Sequence, residues 1–204
     1  MAAVDRFSPG RQPAGRAPAP GRLGLVQAFT NSFWDLDAAG ADVWADLAGY
    51  REWLARRGFD GAAAGERDRE RAVTLREAIR ALARRHHDAP DAAAPAEPLA
   101  VLDGLARTAP LHLRFDPAPR HEPDGPGPDA ALGLVLGVVA EAMAEGTWSR
   151  LKACPGPHCG WLFYDASRNR SSQWCSMRLC GNRVKGREFR ARRRGATDAG
   201  RRGT

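Results

Sequence analysis

The chain has 204 residues, of which 43% are apolar and 27% charged, a composition that excludes a wholly disordered chain and leaves room for one ordinary domain plus a small one. Its formal charge of +7 is local: residues 150–204 carry 14 Lys/Arg against 3 Asp/Glu, net +11, while residues 1–149 carry 17 against 21, net −4. The longest apolar run, Ala130 to Ala144, is too short for a bilayer and contains Glu141, and the N-terminal residues lack the apolar stretch of a secretory leader, so a cytoplasmic protein is expected, without a membrane partner.

Residues 1–21 are interrupted by Pro and Gly every few positions and offer little to bury, which predicts a disordered tail. From Leu23 the pattern changes: Leu25, Val26, Phe29, Phe33 and Trp34 recur at helical spacing and predict a first helix. Asp42 is placed to cap a second and Gly58 to end it, with Val43, Leu47, Tyr50 and Leu54 on one face. A third helix is expected from Glu66 to His87, with Ala72, Leu75, Ile79 and Leu82 inward and its arginines and glutamates outward. An Ala/Pro connector over 88–98 leads to a short helix, Leu99 to Ala106. Residues 111–115 alternate as a strand with Leu111, Leu113 and Phe115 on one side. The Pro-rich segment 117–128 reads as a loose hairpin loop, and the helix over 129–145, apolar on two sides, as the centre of the domain. No internal repeat is evident.

All four cysteines fall in one window. Cys154 and Cys159 are separated by four residues, and Cys175 and Cys180 repeat that separation after a loop of fifteen. Two short-spaced pairs divided by a loop are the sequence form of a four-thiolate zinc site in a reducing compartment. On one continuous helix Cys175 and Cys180 would point about 140° apart, so one of them must lie outside it. Ser176 is a candidate N-cap that leaves Cys175 before the helix and Cys180 in its first turn, where the helix dipole favours thiolate. Pro155, Gly156 and Pro157 make a tight loop between the first pair, and residues 161–165 read as a strand. Four thiolates close the coordination shell, which predicts one structural Zn²⁺ and leaves His158 outside it. His86 and His87 are expected to be solvated at a helix end, and His112 and His121 show no partner pattern. A redox switch using the same thiols is a second reading.

After Cys180 the chain turns basic. Arg183, Arg187, Arg190 and Arg194 are offset so that on a helix they span only about 60° of arc, and Lys185, Arg192 and Arg193 widen that positive surface. Val184 and Phe189 are left to pack on the finger. Like charges at this spacing repel, which points to a polyanionic partner, DNA being the natural one. Arg168, Asn169 and Arg170 in the loop before Cys175 could add phosphate contacts. A solvated basic tail is the plain alternative.

Over residues 159–194 the sequence resembles the CGNR zinc finger proteins, on Cys180, Gly181, Asn182 and Arg183 themselves, on Ser167 to Asn169 and on Trp174 to Met177. The resemblance implies a DNA-binding finger with Cys154, Cys159, Cys175 and Cys180 as its ligands. In such proteins the finger follows an ABATE domain, a regulator of transcription under stress, and the stretch from Leu25 to Asp35 with Asn31, together with Trp53 and Leu54, is similar to that layout.

The fold class expected is α+β, mostly α: a disordered tail over 1–21, a helical ABATE-like domain with a small β component over 22–147, a zinc finger of loop, strand, loop and helix over 148–195, and a disordered end over 196–204. The function expected is a zinc-dependent, DNA-binding transcription regulator, with Arg168, Arg170, Arg183, Lys185, Arg187, Arg190 and Arg194 at the DNA, a homodimer and a small-molecule ligand of the N-terminal domain as further partners. The alternative is a protein-interaction or thiol-redox module without specific DNA binding. No nucleophile paired with a base, no phosphate-cradling glycine loop and no open metal position is present in the sequence, so an enzyme is not expected.

Overall fold

The structure, a computed structural model, describes residues 5–34, 41–87 and 95–201, without the side chains of residue 188 and of residues 193–201. Among the described residues it is mostly helical, with three separate two-stranded antiparallel pairs. In chain order the elements are α1 (Leu23–Thr30), β1 (Phe33–Trp34), β2 (Ala41–Asp42), α2 (Leu47–Arg56), α3 (Glu66–Arg85), α4 (Ala96–Ala106), β3 (Leu111–Arg114), β4 (Arg120–Pro123), α5 (Pro128–Ala144), β5 (Leu151–Ala153), β6 (Leu162–Tyr164), a π turn at Met177–Gly181 and α6 (Asn182–Arg201). Among the described residues no helix is long and apolar enough to cross a membrane.

α1 is buried along its whole length and α5 along most of its own, and the two sit at the centre with α3 packed on both. Phe29, Trp44 and Trp53 meet edge to face with centroids 4.9 to 5.6 Å apart, the geometry that ring quadrupoles favour. The β3–β4 hairpin lies against α5 because α5 offers no side chain there: a Cβ on Gly137 would stand 2.7 Å from the Cβ of His121. One core cluster runs from Leu23 and Phe29 through Ile79 and Val138 to Leu151, Ala153 and Leu162, so the hairpin carrying the cysteines shares its inner face with the helical domain.

Several expectations are corrected. Residues 5–21 are not a disordered tail; they form a strap across the body, with Ala19 and Gln12 buried, Ala19 N donating to Gln27 Oε1 at 2.8 Å, and Arg6 stacked on Phe59. Prolines here remove the need for backbone partners instead of preventing order. α1 ends at Thr30, and Phe33 and Trp34 pair with β2. The cap of α2 is Asp46, whose carboxylate accepts from Gly49 N at 2.8 Å. Asp42 instead faces Arg76, and Val43 is half exposed. Gly58 does end the turn after α2, at φ +72°. The arginines of α3 are not all outward, since Arg76 and Arg80 are buried.

The connector 88–98 falls partly outside the described residues, and α4 begins three residues earlier than expected. Leu113 and Phe115 are exposed, so of the predicted inner side of β3 only Leu111 packs against α5, and the Pro-rich segment contains β4. α6 continues helical to Arg201, through part of the end expected to be disordered.

Candidate metal centre

β5 and β6 pair antiparallel in the register Leu151 with Tyr164, Lys152 with Phe163 and Ala153 with Leu162, which puts Cys154 and Cys159 on the turn that joins them. That turn is narrow: Cys154 N donates to Trp161 O at 2.9 Å and Cys159 N to Gly156 O at 3.0 Å. His158 at φ +58° and Gly160 at φ +60° provide its two left-handed positions. Gly156 approaches the thiols so closely that a Cβ there would lie 3.2 Å from Cys180 Sγ.

The second pair is placed by a helix start. Ser176 is its N-cap, its hydroxyl accepting from Leu179 N at 3.2 Å, and its carbonyl accepts from Cys180 N at 2.9 Å. Cys175 thus precedes the turn and Cys180 lies within it, as the spacing requires. At Gly181 a Cβ would meet Met177 Sδ at 2.5 Å and Trp174 Cδ1 at 3.0 Å, so a larger residue there would push the half-exposed Met177 side chain aside.

The four sulfurs lie within 4.8 Å of one another, and all four residues are buried. Cys159 to Cys175 and Cys175 to Cys180 are each 3.6 Å. A tetrahedron with Zn–S bonds of about 2.3 Å has edges of about 3.8 Å, so the donor set fits one zinc ion in both chemistry and size. A bound divalent cation would hold all four as thiolates, and what it would supply is a crosslink between the hairpin turn and the helix start. Phe163 is fully buried beside the site, with Trp161, Trp174 and Leu179 packed around it.

The helical domain grips this finger through polar contacts that sequence reading missed. Asn31 Nδ2 donates to Leu162 O at 2.8 Å and Asn31 Oδ1 accepts from Leu162 N at 2.7 Å. Gln27 Nε2 adds a bond to the same carbonyl at 3.1 Å. Arg80, buried on α3, donates through Nε to Gly160 O at 3.1 Å and through Nη2 to Thr30 O at 2.6 Å and Phe33 O at 2.8 Å, with Glu77 beside it.

The two histidines expected to be solvated are docked on β5. His86 Nδ1 meets Leu151 O and His87 Nε2 meets Ala153 O, each at 2.7 Å; a carbonyl only accepts, so both ring nitrogens carry the proton. His121 also has a partner, Glu141.

On the far side, Asp165 and Lys152 form a buried pair at 3.0 Å. Burial acts to raise the Asp165 carboxyl, but bonds from Ser167 and Lys152 outweigh it and hold the group below the usual carboxylate range. Asp165 also accepts from Ser172 N at 2.9 Å, which fixes the loop carrying Arg168 and Arg170. The strap closes the set: Arg16 Nη1 donates to Trp174 O at 2.8 Å, its guanidinium lies 4.3 Å from the centre of the Phe163 ring, and Nε reaches Tyr164 O.

Of the residues expected at DNA, Arg168, Arg170, Arg183, Lys185, Arg187 and Arg190 are exposed, and Arg170 has Ser149 Oγ at 3.3 Å from Nη1. The Arg194 side chain lies outside the described residues. Phe189, expected to pack on the finger, is 55% exposed.

A helical domain whose core carries a four-thiolate finger defines the class, a helical domain with a zinc-binding module. Residues 150–193 match the CGNR zinc finger, and residues 23–146 match the ABATE family, described as "putative stress-induced transcription regulator". The second match takes in more than half of the chain, and the chain belongs to the ABATE family. Comparison with curated proteins finds no match.

Proposed function

We propose that the chain is a cytoplasmic, stress-responsive transcription regulator that binds DNA through α6 and the loop before Cys175, with units of regulation and binding over 22–147 and 148–195. The observation that carries this reading is the start of α6: it leaves the Cys180 turn with Arg183, Lys185, Arg187 and Arg190 on the surface of a finger that is itself held by the helical core. A basic stripe on a fixed support has a defined direction, which a solvated tail lacks, and arginine forks suit phosphates and guanine edges. Arg168 and Arg170 sit on a loop fixed by Asp165, so they too would meet a backbone at a set distance.

The test is binding of sheared genomic DNA by zinc-loaded protein at two salt concentrations. The expected result is a steep salt slope, made shallower by about one unit for each phosphate contact removed in Arg183→Ala, Arg187→Ala and Arg190→Ala. Unchanged affinity and slope in the triple variant would remove α6 from the interface. The thiol-redox reading draws on the packing of four sulfurs within 4.8 Å; zinc release under mild oxidation without any DNA binding would favour it.

A further inference from the structure

We propose that the groove between the N-terminal strap and the finger binds a small organic anion with a flat apolar body, an aromatic carboxylate being the simplest form. The groove has a volume of about 710 Å³, inside the range of small-molecule sites. Its lining joins the strap at Gly10–Pro18 to Trp34, Trp161, Leu179 and the edge of the zinc site.

Two features set the ligand chemistry. Trp34 and Trp161 meet edge to face with centroids 5.9 Å apart. The indole Nε1 of Trp161 is already bonded to Gln12 Oε1 at 3.3 Å. Gln12 in turn is fixed, its Oε1 also accepting from Gln27 and its Nε2 donating to Pro9 O. The wall therefore offers ring surface and no spare donor from Trp161, which selects a flat apolar body.

The charged lining residues are Arg11, Arg16 and Arg178, and no carboxylate lines the groove among the described residues. Arg16 is committed to the carbonyls of Tyr164, Trp174 and Cys175. Arg11 and Arg178 are exposed and have no hydrogen-bond or ion-pair partner among the described residues. Two unpaired guanidinium groups beside an aromatic wall match a carboxylate on an aromatic ring. Because the lining comes from the strap, β1 and the π turn, an occupant ties the strap to the finger. The site does not depend on whether α6 binds DNA.

The test uses full-length, zinc-loaded, nitrogen-labelled protein titrated with naphthoate and, separately, with its neutral analogue naphthylmethanol, following the indole N–H signals by NMR. Trp34→Phe and Trp161→Phe assign the signals. Naphthoate is expected to shift the Trp34 and Trp161 signals saturably and to bind at least about 10-fold more tightly than the alcohol. Arg11→Ser with Arg178→Ser should bring naphthoate down to the alcohol's affinity while leaving the alcohol and the zinc content unchanged. Alanine at Arg183, Arg187 and Arg190 should leave naphthoate binding intact.

Four results would overturn the proposal: no saturable shift up to about 5 mM naphthoate, a concentration that detects even weak sites; equal binding of acid and alcohol; full affinity in the Arg11/Arg178 variant; or loss of binding with the α6 alanines, which would mean anion condensation on the basic helix.

Discussion

Asn31 and Leu162 exchange two hydrogen bonds, at 2.8 and 2.7 Å, across 131 residues of chain. A side-chain amide thus pairs with β6 as a neighbouring strand would, on the edge that β5 leaves open. The finger's hairpin is in effect a three-part sheet whose third member is one side chain at the end of α1.

Asn31→Ala orphans the N–H of Leu162, a fully buried residue. An orphaned group costs about 1–3 kcal/mol, so a loss of roughly 1–3 kcal/mol is expected, read as a lower urea midpoint at saturating zinc. Since Gln27 still reaches the carbonyl, Gln27→Ala added to Asn31→Ala should cost more than the two single losses summed. A midpoint unchanged within error in Asn31→Ala would show that the finger docks by its apolar face alone.

The zinc ion should be one per chain and needed for the finger but not for α1, α3 and α5, most of whose shared core lies outside the finger. Cys180→Ser or a chelator is expected to remove the metal while most of the helical circular dichroism remains. The lost part should come from the π turn and α6, whose N-terminal start hangs on Cys180. A complete loss of helix on chelation would show instead that β5 and β6 are essential to the main core, which their sharing of Leu151 and Leu162 with it makes a quantitative question.

The parts legible in the sequence are those whose physics is local. The cysteine pairs announce a zinc site because the ligands must converge over short loops, and the Ser176 cap could be placed because the geometry of an i to i+5 pair excludes one helix. α3 shows its periodicity directly, and α5 its continuous apolar run. What was not legible depends on distant partners: Arg16 binds Tyr164 and Trp174 from across the chain, so residues 5–21 look like tail until the finger is in place. Arg76 and Arg80 read as surface by residue type, yet they continue the same face as Ala72 and Ile79, and Asp42 and the carbonyls of Thr30, Phe33 and Gly160 supply the partners that let them be buried. His86 and His87 end an amphipathic helix as solvated histidines would, and only the distant carbonyls of Leu151 and Ala153 show that they dock on β5.

His86 makes stability depend on pH. Burial pushes its pKa below the ordinary value of 6.5, more than its bond to Leu151 raises it. In the unfolded chain the ring takes up a proton as pH falls through about 6.5, whereas the folded protein resists, so the unfolded state binds more protons there. Stability should be complete above that pH and decline below it, until the lowered folded pKa is reached. His86→Asn keeps a donor near Nδ1 and has no proton to gain, so its urea midpoint, measured at saturating zinc from about pH 7.5 to 5.5, should fall less steeply than that of the parent. Parallel slopes would place the acid sensitivity elsewhere, in the thiolates.

The strap should control how fast the finger gives up its metal. Arg16 covers Phe163 and satisfies the carbonyls of Trp174 and Cys175, so it holds the backbone on the N-terminal side of a ligand pair. Burial lowers the Arg16 pKa more than its charged neighbours raise it, and because an arginine side chain stays protonated in proteins, the cation remains over the ring. Arg16→Ala removes those bonds and a cation–π contact together worth about 2 kcal/mol. If opening of the strap precedes metal loss, transfer of zinc to a coloured chelator should accelerate by roughly 10-fold or more. Arg16→Lys, which keeps the charge but not the fork, should fall between the two. An unchanged transfer rate in Arg16→Ala would mean that zinc leaves by unwinding of the π turn at Met177–Gly181, with the strap still closed.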